Sequence, residues 1–144
     1  MFSKACEYGI KSIIYISMKS LEGQRVKIGE VAAHINSPEA FTAKILGLLV
    51  RHQIVESHTG PSGGFQINSA TMTQTPLSTI VNIIDGDQLY HGCGLGLTQC
   101  NEQAPCPLHE RFATIRLQLK NMLESTTLLD LAIGLKEGKS VLFN

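Results

Sequence analysis

No stretch of this chain is apolar for long enough to cross a bilayer. The opening Met1-Phe2-Ser3-Lys4-Ala5-Cys6 has neither the basic lead nor the apolar core of a secretory signal. Both absences point to a cytoplasmic protein. No nucleophile–base pair, Walker-type glycine loop or His-Glu-x-x-His helix is found, so an enzyme is not expected. Internal repeats and low-complexity tracts are missing as well. Net charge is also lacking: 12 Lys and Arg balance 12 Asp and Glu. That removes the overall basic excess usual in a nucleic-acid-binding domain. The distribution restores a little of it, with seven Lys/Arg against five Asp/Glu in residues 1–60 and five against seven in 61–144.

The 144 residues, 43% of them hydrophobic, suit one compact domain or a small domain with a helical arm. Ser3 to Lys19 is apolar on most sides and reads as a buried helix. Leu21-Glu22-Gly23-Gln24 is a turn, and Lys27 to Ile35 places Ile28, Val31, Ala32 and Ile35 at helical spacing. After the break at Asn36, Ser37 can cap a helix with Pro38 in its first position. That helix, to His52, is expected to bury Phe41, Ile45, Leu48 and Leu49. Two short runs, Ile54–His58 and Gly64–Ile67, flank Thr59-Gly60-Pro61-Ser62-Gly63 and read as a hairpin. Helix, helix, turn, helix, hairpin is the order of a winged helix-turn-helix. The expected fold is mainly α: a winged DNA-binding unit with a small β-hairpin wing, plus a long C-terminal dimerisation helix. The expected division is a DNA-binding region at 1–70, a linking helix and cysteine loop at 71–106, and the dimerisation and final helices at 107–144.

A helix fits the B-DNA major groove. The helix from Pro38 offers Ser37, Glu39, Ala40, Thr42, Ala43, Lys44 and Arg51 to double-stranded promoter DNA, and Gly60, Pro61, Ser62 and Gly63 form a low-bulk wing tip. Thr75-Pro76 opens another helix with Leu77, Ile80, Val81 and Ile84 at i, i+3, i+4 and i+7, ended by Gly86. Pro107 to Glu124 is a long helix whose Leu108, Phe112, Ile115, Leu119 and Met122 form a heptad seam suited to a homodimer. Thr127 and Asp130 can form a capping box for a last helix through Leu135, closed by Gly138.

Between these helices, residues 87–106 show no regular period, and they hold Cys93, Cys100 and Cys106. His109 follows three positions later. Reduced cysteines gathered in this way read as a ligand set rather than a disulfide framework. The closely spaced pair of a structural zinc knuckle is absent. Wider, glycine-rich spacing can wrap an iron–sulfur cluster. His109 can supply a fourth ligand, as can Glu7 if a dimer partner delivers it; His91 ranks below both. A metal-free thiol switch, zinc, and inert structural cysteines stay open as alternatives. Cys6, on an apolar helix, reads as a core residue.

The Gly60-Pro61-Ser62-Gly63-Gly64-Phe65 wing, the three-cysteine loop, Cys106-Pro107-Leu108-His109 and Thr127-Leu128-Leu129-Asp130-Leu131 together resemble the Rrf-two family of winged-helix transcription regulators, IscR-like and NsrR-like members included. The resemblance covers nearly the whole chain. It implies a homodimeric DNA-binding regulator, expected to act as a repressor, that senses iron–sulfur, redox or nitric-oxide status. It implies Cys93, Cys100 and Cys106 as cluster thiols, with His109, or Glu7 from the other subunit, completing the set. The longer gap between the first two cysteines leaves the cluster type open, [2Fe–2S] or [4Fe–4S], and air-handled protein is expected to lose it. A cluster-free thiol-switch regulator and a small iron–sulfur carrier are the competing functions.

Overall fold

The computed structural model describes residues 1–142. Helix α1 (Lys4–Leu21) runs through the centre. The Ser3 hydroxyl caps it by accepting from the Cys6 N–H, and Cys6, Gly9, Ile13 and Ile16 form its buried stripe. At Gly9 a neighbouring helix comes close: a Cβ there would strike Ile84. Helix α2 (Ile28–Ile35) buries Val31, Ala32 and Ile35 and stops at Asn36, which takes the left-handed conformation at φ 52°. Asn is among the few non-glycine residues that tolerate it.

Helix α3 (Glu39–Arg51) follows, with Pro38 in the capping position rather than inside the first turn. Its buried face is Thr42, Ile45, Leu46 and Leu49, so the stripe is turned by one residue from the expected one. Phe41 is 38% exposed and Leu48 half-buried. The cause is Thr42. Its hydroxyl donates to the Pro38 carbonyl and shares a hydrogen bond with Ser37, so its polar atom is satisfied and the side chain goes inside without a desolvation penalty. Phe41 instead meets Tyr8 edge-on.

Strands β1 (Glu56–His58) and β2 (Gly64–Gln66) form the expected antiparallel hairpin, with Ser57 opposite Phe65. Val26 adds a bridge to Phe65 on the outer side, exchanging two backbone hydrogen bonds of 3.1 and 2.7 Å. Helix α4 (Ser69–Gln74) was not expected. Its Ser-Ala-Thr-Met-Thr-Gln sequence carries one large apolar residue and weak helix formers. The Asn68 side chain caps it at 2.8 Å, and buried Met72 anchors it. Helix α5 (Leu77–Asp85) ends at Gly86 as expected.

The cysteine stretch opens with one short helix, α6 (Gln88–His91), where irregular structure was expected. Helix α7 (His109–Ser125) and α8 (Leu128–Lys136) close the chain, and the Thr127–Asp130 capping box forms in full. Two backbone bonds staple the turn before α8 to the turn before α5: Leu77 N–H to Thr126 O at 2.8 Å and Leu128 N–H to Thr75 O at 3.1 Å. The same core draws on α1, α2, α3, α4, α5, α7 and α8.

Only Leu123 of α7 is buried among the described residues of that helix. The heptad seam divides. Phe112 and Leu119 are half-buried; Phe112 underlies the cysteine loop, where a Cβ on Gly94 would strike its ring, and Leu119 packs on the core. Leu108, Ile115 and Met122, spaced by seven, stay exposed in one row, Ile115 at 56% and Met122 at 49%.

Candidate functional site

Two regions carry chemistry. The first is the face made by α3 and the hairpin. Glu39, Ala40, Ala43, Lys44, Gly47 and Arg51 are exposed on α3 together with Phe41. Thr42 is not among them, being fully buried, and Ser37 is half-buried against it. In the wing, Gly60, Pro61 and Ser62 form the exposed tip of a turn closed by Gly63 N–H to Gly60 O at 2.9 Å, with proline at the position its fixed φ favours. Gly63 is buried: a Cβ there would collide with the His58 carbonyl, so it shapes the turn instead of lining its tip. Gly64 has φ +131° and lies so close to Val26 that a Cβ would sit 2.7 Å from its carbonyl oxygen. The glycine run is therefore what lets the Val26 segment pair with the wing.

The second region is the cysteine loop. Cys93, Cys100 and Cys106 are all free and half-buried. The Cys93 thiol is held below its ordinary pKa, chiefly by the backbone N–H groups of Leu95 and Leu97, with the Cys106 side chain and Gly96 N–H adding to the effect. The Cys100 sulfur lies 3.3 Å from His109 Nδ1 and accepts at 3.4 Å from Arg116, whose other terminal nitrogen donates to the Gly92 carbonyl at 3.1 Å. The His109 N–H is tied to the Cys106 carbonyl at 3.0 Å. The first two turns of α7 therefore fasten both ends of the loop. An open cleft of about 720 Å³ runs along Cys93, Cys100, His91, Gln99 and Gln103.

Of these donors, Cys100 and His109 come together as a pair, while Cys106 only adds to the lowering of the Cys93 thiol. Among the described residues no group of three or more His, Cys, Asp or Glu side chains converges at metal-binding geometry. Glu7 lies in the first turn of α1 and pairs with Lys4 at 3.1 Å. His91 pairs with Asp87 at 3.5 Å instead of a cysteine. Cys6 is a core thiol, pushed up to about 12 by burial and by Asp85. A cluster liganded by thiolates still suits the donor chemistry here: soft sulfurs, backbone N–H groups directed at one of them, and an imidazole within reach.

Arg116 was missed at the sequence level because it sits seven residues beyond His109, outside the cysteine motif. Its spacing, i to i+7 on one helix face, is the signal that would have found it. Arg25 was missed too; it reaches the wing from the turn before α2.

Comparison with known proteins separates the possible uses of such a chain. The Rrf2 family model, described as an iron-dependent transcriptional regulator, matches residues 2–133. The chain belongs to the Rrf2 family. Rrf2 relatives include a protein of Aquifex aeolicus named as an HTH-type transcriptional regulator, 26% identical over 133 residues, covering 91% of this chain and 90% of that one. Another, Rv1287 of Mycobacterium tuberculosis, bears the same type of name and is 28% identical over 133 residues, covering 92% of this chain and 81% of that one. Among solved structures, CymR of B. subtilis, titled the global cysteine regulator, superposes with a TM-score of 0.73 at 23% identity, covering 92% of this chain and 96% of that one. T. potens IscR superposes at 0.71 with 14% identity, covering 98% and 92%. These likenesses identify the Rrf2 winged-helix fold. The Rrf2 chain is a transcription regulator, and its family and relatives are not enzymes. No described helix is long and apolar enough to cross a membrane.

Proposed function

We propose that this Rrf2 regulator acts as a homodimer that binds promoter DNA through α3 and the wing, as a repressor, and adjusts that binding through an iron–sulfur cluster. Cys93, Cys100 and Cys106 would hold the cluster with His109 as the fourth ligand; Glu7 from the second copy is the alternative fourth ligand. The observation that carries the reading is three free, half-buried thiols on one loop, with the Cys100 sulfur against the His109 imidazole and the loop fastened to α7 by Arg116. When bound, such a cluster supplies a centre whose charge and integrity respond to iron supply, oxidants and nitric oxide. Three thiolates with a weaker nitrogen or oxygen ligand leave it labile. Both [2Fe–2S] and [4Fe–4S] forms suit the donor set.

The test is purification without oxygen, followed by the visible spectrum and iron and sulfide assays, with Cys100→Ala alongside. Brown protein with bound iron and sulfide, bleached in the variant, supports the reading. Colourless protein without iron, prepared anaerobically from iron-replete cells, refutes it.

One observation favours a second reading. The Cys93 thiol is held below its ordinary pKa and Cys106 is among the causes, so an oxidant that takes up two electrons could join these two thiols as a disulfide, with loss of two protons, in a cluster-free regulator. A Cys93–Cys106 disulfide in iron-free protein that still binds DNA would select this reading. A carrier function has no support from the family.

A further inference from the structure

The exposed tip of the wing, Gly60, Pro61 and Ser62, carries no cationic side chain. His58, at the end of β1, turns inward, and its Nε2 is buried with no hydrogen-bond partner among the described residues. A wing that docks on DNA works against a backbone of phosphates, and a neutral tip offers them little. A cation does stand beside the tip, but another part of the chain supplies it. Arg25 lies in the turn between α1 and α2, next to Val26, the residue that bridges to Phe65. Its Nε donates to Gln66 Oε1 at 2.9 Å, and one terminal nitrogen donates to the Ser62 carbonyl at 3.2 Å. The Gln66 amide in turn donates to Glu56 at 3.0 Å. The guanidinium is thus fixed in direction by a hydrogen-bonded chain running across the hairpin. Its other terminal nitrogen has no partner among the described residues, and Arg25 is exposed. An open cleft of about 830 Å³ lies before it, lined also by Lys27, Ser62, Gly63 and Glu30. Glu30, the acidic member, bears on the Tyr15 hydroxyl.

We propose that Arg25 is the wing's phosphate contact: a guanidinium borrowed from the α1–α2 turn and held at the wing tip to bind one backbone phosphate of duplex DNA. The proposal rests on the DNA-binding reading above. It adds a residue to that face which neither the reading helix nor the glycine turn contains. Arginine suits the task because its planar fork can donate through Nε and Nη1 to Gln66 and Ser62 and still present Nη2 to a phosphate. In a chain without net charge, a cation placed at the contact matters more than one in a basic background.

The experiment measures binding of the full-length protein to a fluorescein-labelled random-sequence duplex of about 30 base pairs, from about 50 to about 200 mM salt. The variants are Arg25→Gln, Arg25→Lys and Gln66→Ala. Arg25→Gln is expected to weaken binding and to flatten the slope of log K against log salt by about 0.9. Over that fourfold salt range the wild type should then lose about 3.5-fold more affinity than the variant. Arg25→Lys keeps the charge and should keep the slope. Gln66→Ala removes the Nε anchor but leaves the cation, so affinity should fall with the slope unchanged. An unchanged slope in Arg25→Gln overturns the proposal, whether or not affinity drops, because a residue that merely braces the wing removes no counterion. Failure of the wild type to bind any duplex is a different result: it removes the DNA-binding reading itself.

Discussion

Ile115 offers the sharpest test of the proposed homodimer. It is 56% exposed in the middle of α7, in one row with Leu108 and Met122. Burying an isoleucine fully contributes about 1.5–3 kcal/mol, so roughly half of that, about 1.2 kcal/mol, remains to be gained by covering this side chain. A two-fold interface uses the same residue twice. Ile115→Ala should therefore cost the dimer about 2.4 kcal/mol, which is about 50-fold in dissociation constant. Sedimentation velocity over a dilution series reads this directly. The single-chain melt should hardly move, since Ile115 contributes little to the core. Leu117 makes the control: it is 58% exposed but lies two residues away, on the far side of the helix. Leu117→Ala should leave association unchanged. Equal loss in both variants, or no change in Ile115→Ala, would refute the assignment of the interface to this row. A wild type that sediments as a monomer throughout would do the same.

Other positions give independent checks. Leu123→Ala empties a fully buried site where α7 meets the core and should cost about 3–5 kcal/mol in a denaturant melt; a loss under 1 kcal/mol would mean the helix end is not packed as described. Gly64→Ala forces a Cβ against the Val26 carbonyl at a positive φ and breaks the bridge to Phe65, so a loss of about 2–4 kcal/mol is expected, with early amide exchange at Val26 and Phe65. In native protein stripped of metal, iodoacetamide should label the three loop cysteines and spare Cys6, whose thiol is fully buried and pushed up to about 12; rapid labelling of Cys6, read by peptide mass, would contradict its place in the core. Asp130 is held below its ordinary 3.8 by the Thr127 N–H and hydroxyl. Its contribution is therefore present above that pH and lost as pH falls through the lowered value, and Asp130→Asn should remove this part of the acid sensitivity of the melt; an identical pH profile in the variant would speak against it.

Much of the fold is written in local patterns. The capping box at Thr127 and Asp130, the stop at Gly86 and the Pro61 turn each follow from a few adjacent residues, and each forms. Sequence periodicity misjudged α3 by one residue because it counts threonine as polar. Thr42 has its hydroxyl satisfied one turn back, and a hydroxyl already bonded no longer keeps a side chain outside. Helix α4 escaped notice because its stability comes from a cap and one methionine rather than from an apolar stripe. The three thiols were plain from spacing, but their surroundings were not. Phe112 lies under Gly94 and Arg116 reaches Cys100, contacts across 18 and 16 positions that no linear motif contains. Arg25 and the wing are likewise joined across 37 positions.

The staple between the Thr75–Leu77 and Thr126–Leu128 turns also gives α7 the mechanics of a lever. Its C-terminal end is a fulcrum, fixed by two backbone hydrogen bonds and by Leu123 in the core. Its other end, at His109, carries the cysteine loop. With 17 residues the arm is about 25 Å long, so each ångström of sideways movement at the loop registers as a tilt of about 2°. Ile115 and Met122 lie between load and pivot, and a rearrangement among the thiols would reach them as rotation rather than as a shift along the helix axis.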